Sequence, residues 1–330
     1  MQSFAFREGW PVPEDVVTPE TTRIGWIGAG RMGAALARRL LAAGYDVAVY
    51  NRTRSKAEQL IAAGATVVGR PADLADRDVV FTMVAASADL EQVTIGPGGL
   101  FSGGRGPAVL IDSSTVSTEI SATVRQAAAK VGAEMLAAPV SGNPKVVMAG
   151  KLTLAISGPE AAFRRVRPLL EVLGQGVTYV GDDEVARLVK ICHNMFLGVV
   201  IQSLAEITVL AEKGGVSRAA FTEFLNNSVM GSTFSRYKSP ALVNLDFTPT
   251  FTMPLLRKDF DLGLAAARSL EVPMPLASAT AQIVAAAIGA GLVDQDFAVL
   301  IQEQARNSGL ELVAENVPVD DGLTAEGRDA

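Results

Sequence analysis

A chain of 330 residues with 49% apolar residues is long enough to bury two cores. A net charge of −6, a sequence pI near 5.1 and no basic run argue against nucleic acid as a partner. One cysteine, Cys192, and one histidine, His193, exclude an intrachain disulfide and are too few for a His/Cys metal site, so no metal is expected. The mean hydropathy of +0.28 is assigned to Ala-rich helices, because polar residues such as Gln202, Ser203 and Glu206 interrupt the apolar stretches. No membrane span is therefore expected. The first eight residues lack the basic-then-apolar layout of a signal peptide, and with the lone cysteine this gives a cytoplasmic expectation.

In chain order, residues 1–20 are rich in Pro and acids and read as an extended arm. From Arg23, short β-like runs alternate with helical ones. Strands are expected at 24–28, 46–51, 66–68, 78–84, 108–112, 134–138, 152–157 and 177–180, with helices at 31–43 and 54–63 among those between them. This alternation predicts an α/β fold, a Rossmann-type doubly wound parallel sheet over residues 21–183. From Glu184 only helices are expected, at 184–213, 218–227, 255–270, 274–290 and 294–308, giving an all-α domain over 184–310. The acidic stretch 311–330 is expected to be a poorly ordered tail.

Gly28-x-Gly30-x-x-Gly33 follows an apolar strand and opens an amphipathic helix, the context that turns this pattern into a dinucleotide site. Gly28 permits the tight turn, Gly30 the approach of a pyrophosphate, and Gly33 close helix packing. Gly28, Ala29, Gly30, Arg31, Met32 and Gly33 are thus cofactor candidates. The second strand ends Tyr50-Asn51-Arg52-Thr53-Arg54, without the carboxylate that holds the ribose 2′-hydroxyl of NAD. Asn51, Arg52 and Thr53 suit a 2′-phosphate, so the expected cofactor is NADP(H). Met83 and Val84, at the end of the fourth strand, are candidates to line the groove. Thr115, after Asp112-Ser113-Ser114, is placed to face the nicotinamide, because ligands of open α/β sheets bind at strand carboxyl ends.

A cofactor that moves hydride needs a group that moves the matching proton. Lys190 is the candidate, with Asn194 one turn later on the same helix face. The glycine pattern, Asp112-Ser113-Ser114-Thr115, Pro139-Val140-Ser141-Gly142, Lys190-x-x-x-Asn194, and Phe251 with Lys258-Asp259 together resemble the β-hydroxyacid dehydrogenases, over about residues 22–305. This is the family of 3-hydroxyisobutyrate dehydrogenase and glyoxylate/succinic semialdehyde reductase.

The resemblance implies that Lys190 is a general acid in carbonyl reduction and a base in oxidation. An ammonium of reference pKa about 10.4 must be drawn toward neutrality for this, by burial or by a nearby charge such as Lys258. It further implies that Ser141 and the N–H of Gly142 grip a substrate carboxylate, with Asn143 next to them as a substrate-side candidate, that Phe251, Asp259 and Thr115 adjoin the substrate, and that Lys258 adjoins the cofactor. The product would be a small hydroxyacid made from its semialdehyde or oxo acid. A homodimer or higher homo-oligomer through the helical domain is expected.

The chain departs from the family pattern in two places. Ala137 replaces an acid, Asn143 a second glycine, and Val146-Val147 a Gly-Ala pair, a set expected to reshape the pocket. His193 before Asn194 resembles 6-phosphogluconate dehydrogenase, but Leu197 stands where that enzyme has an acid, so decarboxylation of a sugar phosphate is rejected. His193 is kept as a substrate-side candidate, and Cys192 is expected in the core. Two alternatives stay open: an imine or ketone reductase acting on a less polar substrate, and a non-catalytic dinucleotide-binding scaffold.

Overall fold

A computed structural model describes residues 17–323, so the expected arm at 1–16 and the last residues from 324 lie outside the described residues. Within the remainder of that arm Val17 is buried, and its N–H donates to the carbonyl of Arg165. The chain divides into two compact units at Lys190/Ile191.

The described residues of unit one hold nine strands: β1 (Arg23–Ile27), β2 (Asp46–Tyr50), β3 (Thr66–Val67), β4 (Val79–Thr82), β5 (Val109–Asp112), β6 (Glu134–Ala137), β7 (Val140–Ser141), β8 (Thr153–Ser157) and β9 (Gly176–Gly181). Its helices are α1 (Arg31–Ala42), α2 (Arg54–Glu58), α3 (Ser87–Thr94), α4 (Thr118–Lys130), α5 (Pro144–Met148) and α6 (Glu160–Leu173). The sheet runs β3-β2-β1-β4-β5-β6-β8-β7, with β9 on β8. β1 to β6 pair in parallel, and the order reverses between β1 and β4, where such sheets bind ligands.

The far edge departs from the all-parallel expectation. β8 runs antiparallel to β6 and β7, and β9 is parallel to β8. The five-residue α5 is too short for a parallel crossover, so the chain folds straight back. Strands such as Val79–Thr82 and Val109–Asp112 are buried throughout, because apolar clusters cover both sheet faces. On one face Trp26 stacks on Phe81 at 5.0 Å, and α1 adds Leu36, Ala37 and Leu40 at helical spacing. The expected helix 54–63 is broken into α2 and a 3₁₀ turn at Ile61–Ala63.

The all-helical part comprises α7 (Val185–Lys213), α8 (Arg218–Asn227), α9 (Thr233–Asn244), α10 (Met253–Ser269), α11 (Pro275–Gly289) and α12 (Leu300–Asn307). The unit boundary falls inside α7 because the first turn of that helix is bonded to unit one, with Ala186 N–H donating to Ser157 Oγ. α9 was not expected from its Ser- and Pro-containing sequence. Ser232 starts it by accepting from the Ser235 N–H at 3.0 Å, while Ser235 reciprocates toward Ser232.

α7 buries Ile191, Asn194, Met195, Ile201, Ala205 and Val209 at helical spacing. The opposite stripe, including Val189, Phe196, Ile207 and Leu210, is exposed, and Cys192 lies on that side rather than in the core. By length and composition α7 is apolar enough to cross a membrane, contrary to the sequence reading; half of that stretch is buried inside the chain, as in the core helix of a globular unit. α7 and α10 cross closely: a Cβ on Gly263 would lie 2.0 Å from Met195 Sδ.

Residues 311–323 are not the loose tail expected. Leu310 and Leu312 pack on the helical core, and Glu315 caps α8 by accepting from the N–H groups of Arg218 (2.6 Å) and Ala219 (3.1 Å). Asn244 and Val317 exchange two further hydrogen bonds. The Arg218 guanidinium, fully buried, holds Glu212 at 2.7 Å and donates to the carbonyls of Val243 and Val313. Acidic composition alone missed that these carboxylates have helix ends and a guanidinium to serve.

Unit two is braced by a second buried pair. Lys238 Nζ donates to Asp296 Oδ1 at 2.6 Å and sits 4.2 Å from the Phe297 ring centroid. Asp296 also accepts from the Thr250 N–H and hydroxyl, and from the Phe251 and Ala298 N–H groups. Burial pushes the Asp296 carboxyl up, but Lys238 and these donors outweigh it and hold the group below the usual carboxylate range. Stability from this carboxylate is present above the unfolded value of about 4 and is lost as pH falls through the lower folded value. Lys238→Ala leaves the buried charge unpaired and is expected to destabilise unit two by about 3–5 kcal/mol at neutral pH. Urea unfolding followed by circular dichroism checks this; a loss under about 1 kcal/mol would mean that water or another cation replaces Lys238.

Candidate active site

The loop between β1 and α1 is fixed by steric necessity. Gly28 has φ 102°, and a Cβ there would lie 2.2 Å from the Met83 carbonyl oxygen. A Cβ on Gly33 would lie 1.9 Å from the Gly28 carbonyl oxygen. Gly30 differs, since a Cβ there would meet nothing within 4 Å. The protein's own packing does not require glycine at that position, whereas a closely approaching phosphate does. No side chain caps α1 and no acid stands in its first turn, which suits an anion at the helix N-terminus. The residues present fit a dinucleotide.

Of the β2-end residues, Asn51 is a clamp. Its Oδ1 accepts from the Ala29 N–H at 2.8 Å, and its Nδ2 donates to the Thr53 carbonyl at 2.8 Å, tying the β2 end to the glycine loop. Arg52 projects outward, its side chain 84% exposed, and pairs with Asp89 at 2.9 Å. Thr53 and Arg31 are exposed, and Met32 is half-buried against the core. At the β4 end, the Met83 N–H donates to the Ile27 carbonyl and the Val84 N–H to Ser114 Oγ, and both side chains are half-buried.

Sequence reading missed a buried polar cluster at the tips of β4 and β5. Asp112, fully buried, accepts from Thr82 Oγ1 (2.6 Å), Ser114 Oγ (2.7 Å) and Arg187 Nη2 (2.6 Å). Arg187 also donates to the Ser114 carbonyl at 3.0 Å and to Glu184 at 3.0 Å. The available signal was an arginine on the buried face of an apolar helix, which needs a carboxylate. Thr115 follows Ser114 directly and is half-buried.

Ser141 ends β7 half-buried, and Gly142 turns with φ 139°. Asn143 is engaged locally: its Oδ1 accepts from the Val146 N–H at 3.1 Å and caps α5. Val146 and Val147 are buried, as is Ala137 within β6. These departures from the family pattern pack inward, Val147 in the cluster that α1 lines.

Lys190 is half-buried on α7, one turn before the buried Asn194. Asn194 Nδ2 donates to Asp259 Oδ2 on α10 at 2.5 Å. A carboxylate only accepts, so the amide oxygen faces away, toward His193 Nδ1 at 3.0 Å. Asp259, His193 and Asn194 therefore form one hydrogen-bonded chain within the helical unit. Lys258 is half-buried beside Asp259, and Phe251 packs edge-on against Phe297 with centroids 5.6 Å apart.

Comparison with known proteins places this geometry. Residues 23–181 match the family described as the NAD binding domain of 6-phosphogluconate dehydrogenase, and residues 185–303 that described as NAD-binding of NADP-dependent 3-hydroxyisobutyrate dehydrogenase. An uncharacterized oxidoreductase of Bacillus subtilis is 35% identical, over 85% of this chain and 99% of its own. The 2-(hydroxymethyl)glutarate dehydrogenase of Eubacterium barkeri is 31% identical, over 89% and 98%. The crystal structure of a 3-hydroxyisobutyrate dehydrogenase from Salmonella typhimurium is 28% identical and superposes with a TM-score of 0.76, over 86% of this chain and 99% of that one. The chain binds a nicotinamide dinucleotide, acts as an oxidoreductase on a hydroxyl group of a small molecule, and belongs to the β-hydroxyacid dehydrogenase family of 3-hydroxyisobutyrate dehydrogenase.

Proposed function

We propose that this protein is an NADP(H)-dependent dehydrogenase interconverting a small β-hydroxyacid and its semialdehyde or oxo acid, with Lys190 as general acid and base. The observation that carries the reading is the α7 face on which Lys190 stands one turn from Asn194, whose amide is oriented by Asp259. When bound, the nicotinamide supplies or takes the hydride. The chain's own part is the proton: Lys190 Nζ gives one to the oxygen of a carbonyl being reduced, or accepts one from a hydroxyl being oxidised. Asn194 holds the orientation of that group without altering the charge, and His193 adjoins it. Ser141 and the Gly142 N–H offer donors suited to a carboxylate. Relatives with matching chemistry support the substrate class, among them 3-hydroxyisobutyrate dehydrogenase of Pseudomonas aeruginosa and glyoxylate/succinic semialdehyde reductase 1 of Arabidopsis thaliana.

The preference for NADP(H) is supported by the β2 end, which carries Asn51-Arg52-Thr53 and no carboxylate. The exposed Arg52–Asp89 pair holds the guanidinium by no more than about 1 kcal/mol, so a 2′-phosphate can recruit it. A solved relative is described with NADP+, while one curated relative is an NAD-dependent L-serine dehydrogenase, so the reading rests on the β2 end. The apolar stripe on α7, with Phe196 69% and Leu210 72% exposed, supports pairing with a second copy of this chain.

Three outcomes follow. NADPH oxidation should proceed with glyoxylate, succinic semialdehyde or a methylmalonate- or tartronate-type semialdehyde, and Lys190→Ala should lower kcat at least about 100-fold while NADPH still binds. Turnover of only a bulky ketone or cyclic imine would replace this reading with a reductase of less polar substrates. Arg52→Ala is expected to raise the KM for NADPH about tenfold or more and leave that for NADH within about twofold; equal losses would remove Arg52 from cofactor selection. In sedimentation equilibrium the protein should exceed its monomer mass of 34.5 kDa, and Phe196→Glu with Leu210→Glu should shift it to monomer. A wild-type monomer would leave the α7 stripe without this role.

A further inference from the structure

We propose that Arg187 is a positioning residue for proton transfer: it locks the first turn of α7, three residues before Lys190, to the loops that end β4 and β5. The inference rests on the acid/base role proposed for Lys190. Arg187 is 2% exposed on the side chain and its Asp112 partner 0%. All three guanidinium nitrogens are engaged, Nη2 with Asp112 (2.6 Å), Nη1 with the Ser114 carbonyl (3.0 Å) and Nε with Glu184 (3.0 Å).

The contacts to Asp112 and Ser114 lead to segments already assigned to the cofactor or substrate side, and the contact to Glu184 belongs to the helix side. The Ser114 carbonyl belongs to the peptide that joins it to Thr115. Ser114 Oγ, which donates to the same Asp112, accepts from the Val84 N–H at 2.9 Å. Thr82 Oγ1 adds the end of β4. The helix side is held as firmly. Glu184 takes Arg125 Nε at 2.7 Å, Arg125 and Ser157 both donate to the Asp183 carbonyl at 2.8 Å, and Ser157 Oγ accepts from Ala186 N–H at 3.1 Å.

A buried guanidinium is a poor choice if a helix needs only anchoring, since well-packed apolar residues of similar volume do that as well or better. A three-way fork fixes direction as well as distance, and a lysine cannot reproduce it. Lys190 lies on the next turn of α7, so the backbone that carries its side chain inherits that direction relative to Val84 and Thr115. Placement errors near 1 Å cost about 100-fold in such reactions.

The test is a cycle on kcat, with NADPH and whichever of succinic semialdehyde or glyoxylate turns over faster. It compares wild type, Lys190→Ala, the neutral pair Asp112→Asn with Arg187→Met, and their combination. The neutral pair removes both charges, so no buried charge is left unpaired. It is expected to lower kcat about 10- to 100-fold, with the substrate KM and NADPH Kd within about threefold. In the Lys190→Ala background the same pair should cost less than about threefold, because the group it positions is gone. An unchanged kcat, or an equal fall in both backgrounds, would overturn the positioning role while leaving Lys190 intact. A silent Lys190→Ala, or no turnover of either carbonyl acid, would instead remove the proton-transfer reading and this proposal with it. If the neutral pair does not fold, Glu184→Gln, which keeps the Arg187–Asp112 bond, enters the same cycle. A several-fold loss that vanishes without Lys190 supports the proposal, and a loss that persists overturns it.

Discussion

The carboxylate of Asp112 is the point on which unit one turns. Fully buried at the tip of β5, it requires donors from every side, and it obtains them from β4, from its own loop and from α7. A charge removed from water cannot tolerate drift in any one partner, so satisfying it fixes three segments relative to one another. The strand order then puts these segments beside the crevice where parallel sheets of this kind receive a dinucleotide. The β1–α1 loop is settled independently by sterics, since Gly28 and Gly33 leave no room for a Cβ.

The helical unit repeats the device. Asp296 gathers Lys238 and four donors and thereby fixes the 250–252 segment that leads into α10. α10 in turn carries Asp259, which orients Asn194 on α7. In unit one the buried carboxylate stands three residues before Thr115, and in unit two Asp296 holds the Phe251 N–H across 45 positions. Packing gives each unit its core, while these satisfied charges tie segments of distant sequence together.

The departures from the family pattern look different once packing is known. Ala137, Val146 and Val147 are buried, and Asn143 caps α5, so the substituted positions of the 137–147 stretch are taken up by packing and a helix cap. Structures of imine reductases share the fold at 20–24% identity.

By itself the sequence determined what local chemistry can determine. Apolar periodicity gave most of the strands and helices though not β7 or α9, the Gly28–Gly33 spacing gave the phosphate turn, and Lys190-x-x-x-Asn194 needed only the pitch of a helix to share a face. Those features depend on neighbours within a few residues. The tertiary structure alone decided what depends on distant partners. It paired Arg187 with Asp112 across 75 positions and Asn194 with Asp259 across 65. It turned β8 antiparallel, placed Cys192 outward on α7, and secured 311–317 through Arg218 and Asn244. Composition marked that last segment as a tail because acids are read as solvated. The free energy of a buried ion or a helix cap is set by a partner whose identity no local pattern encodes.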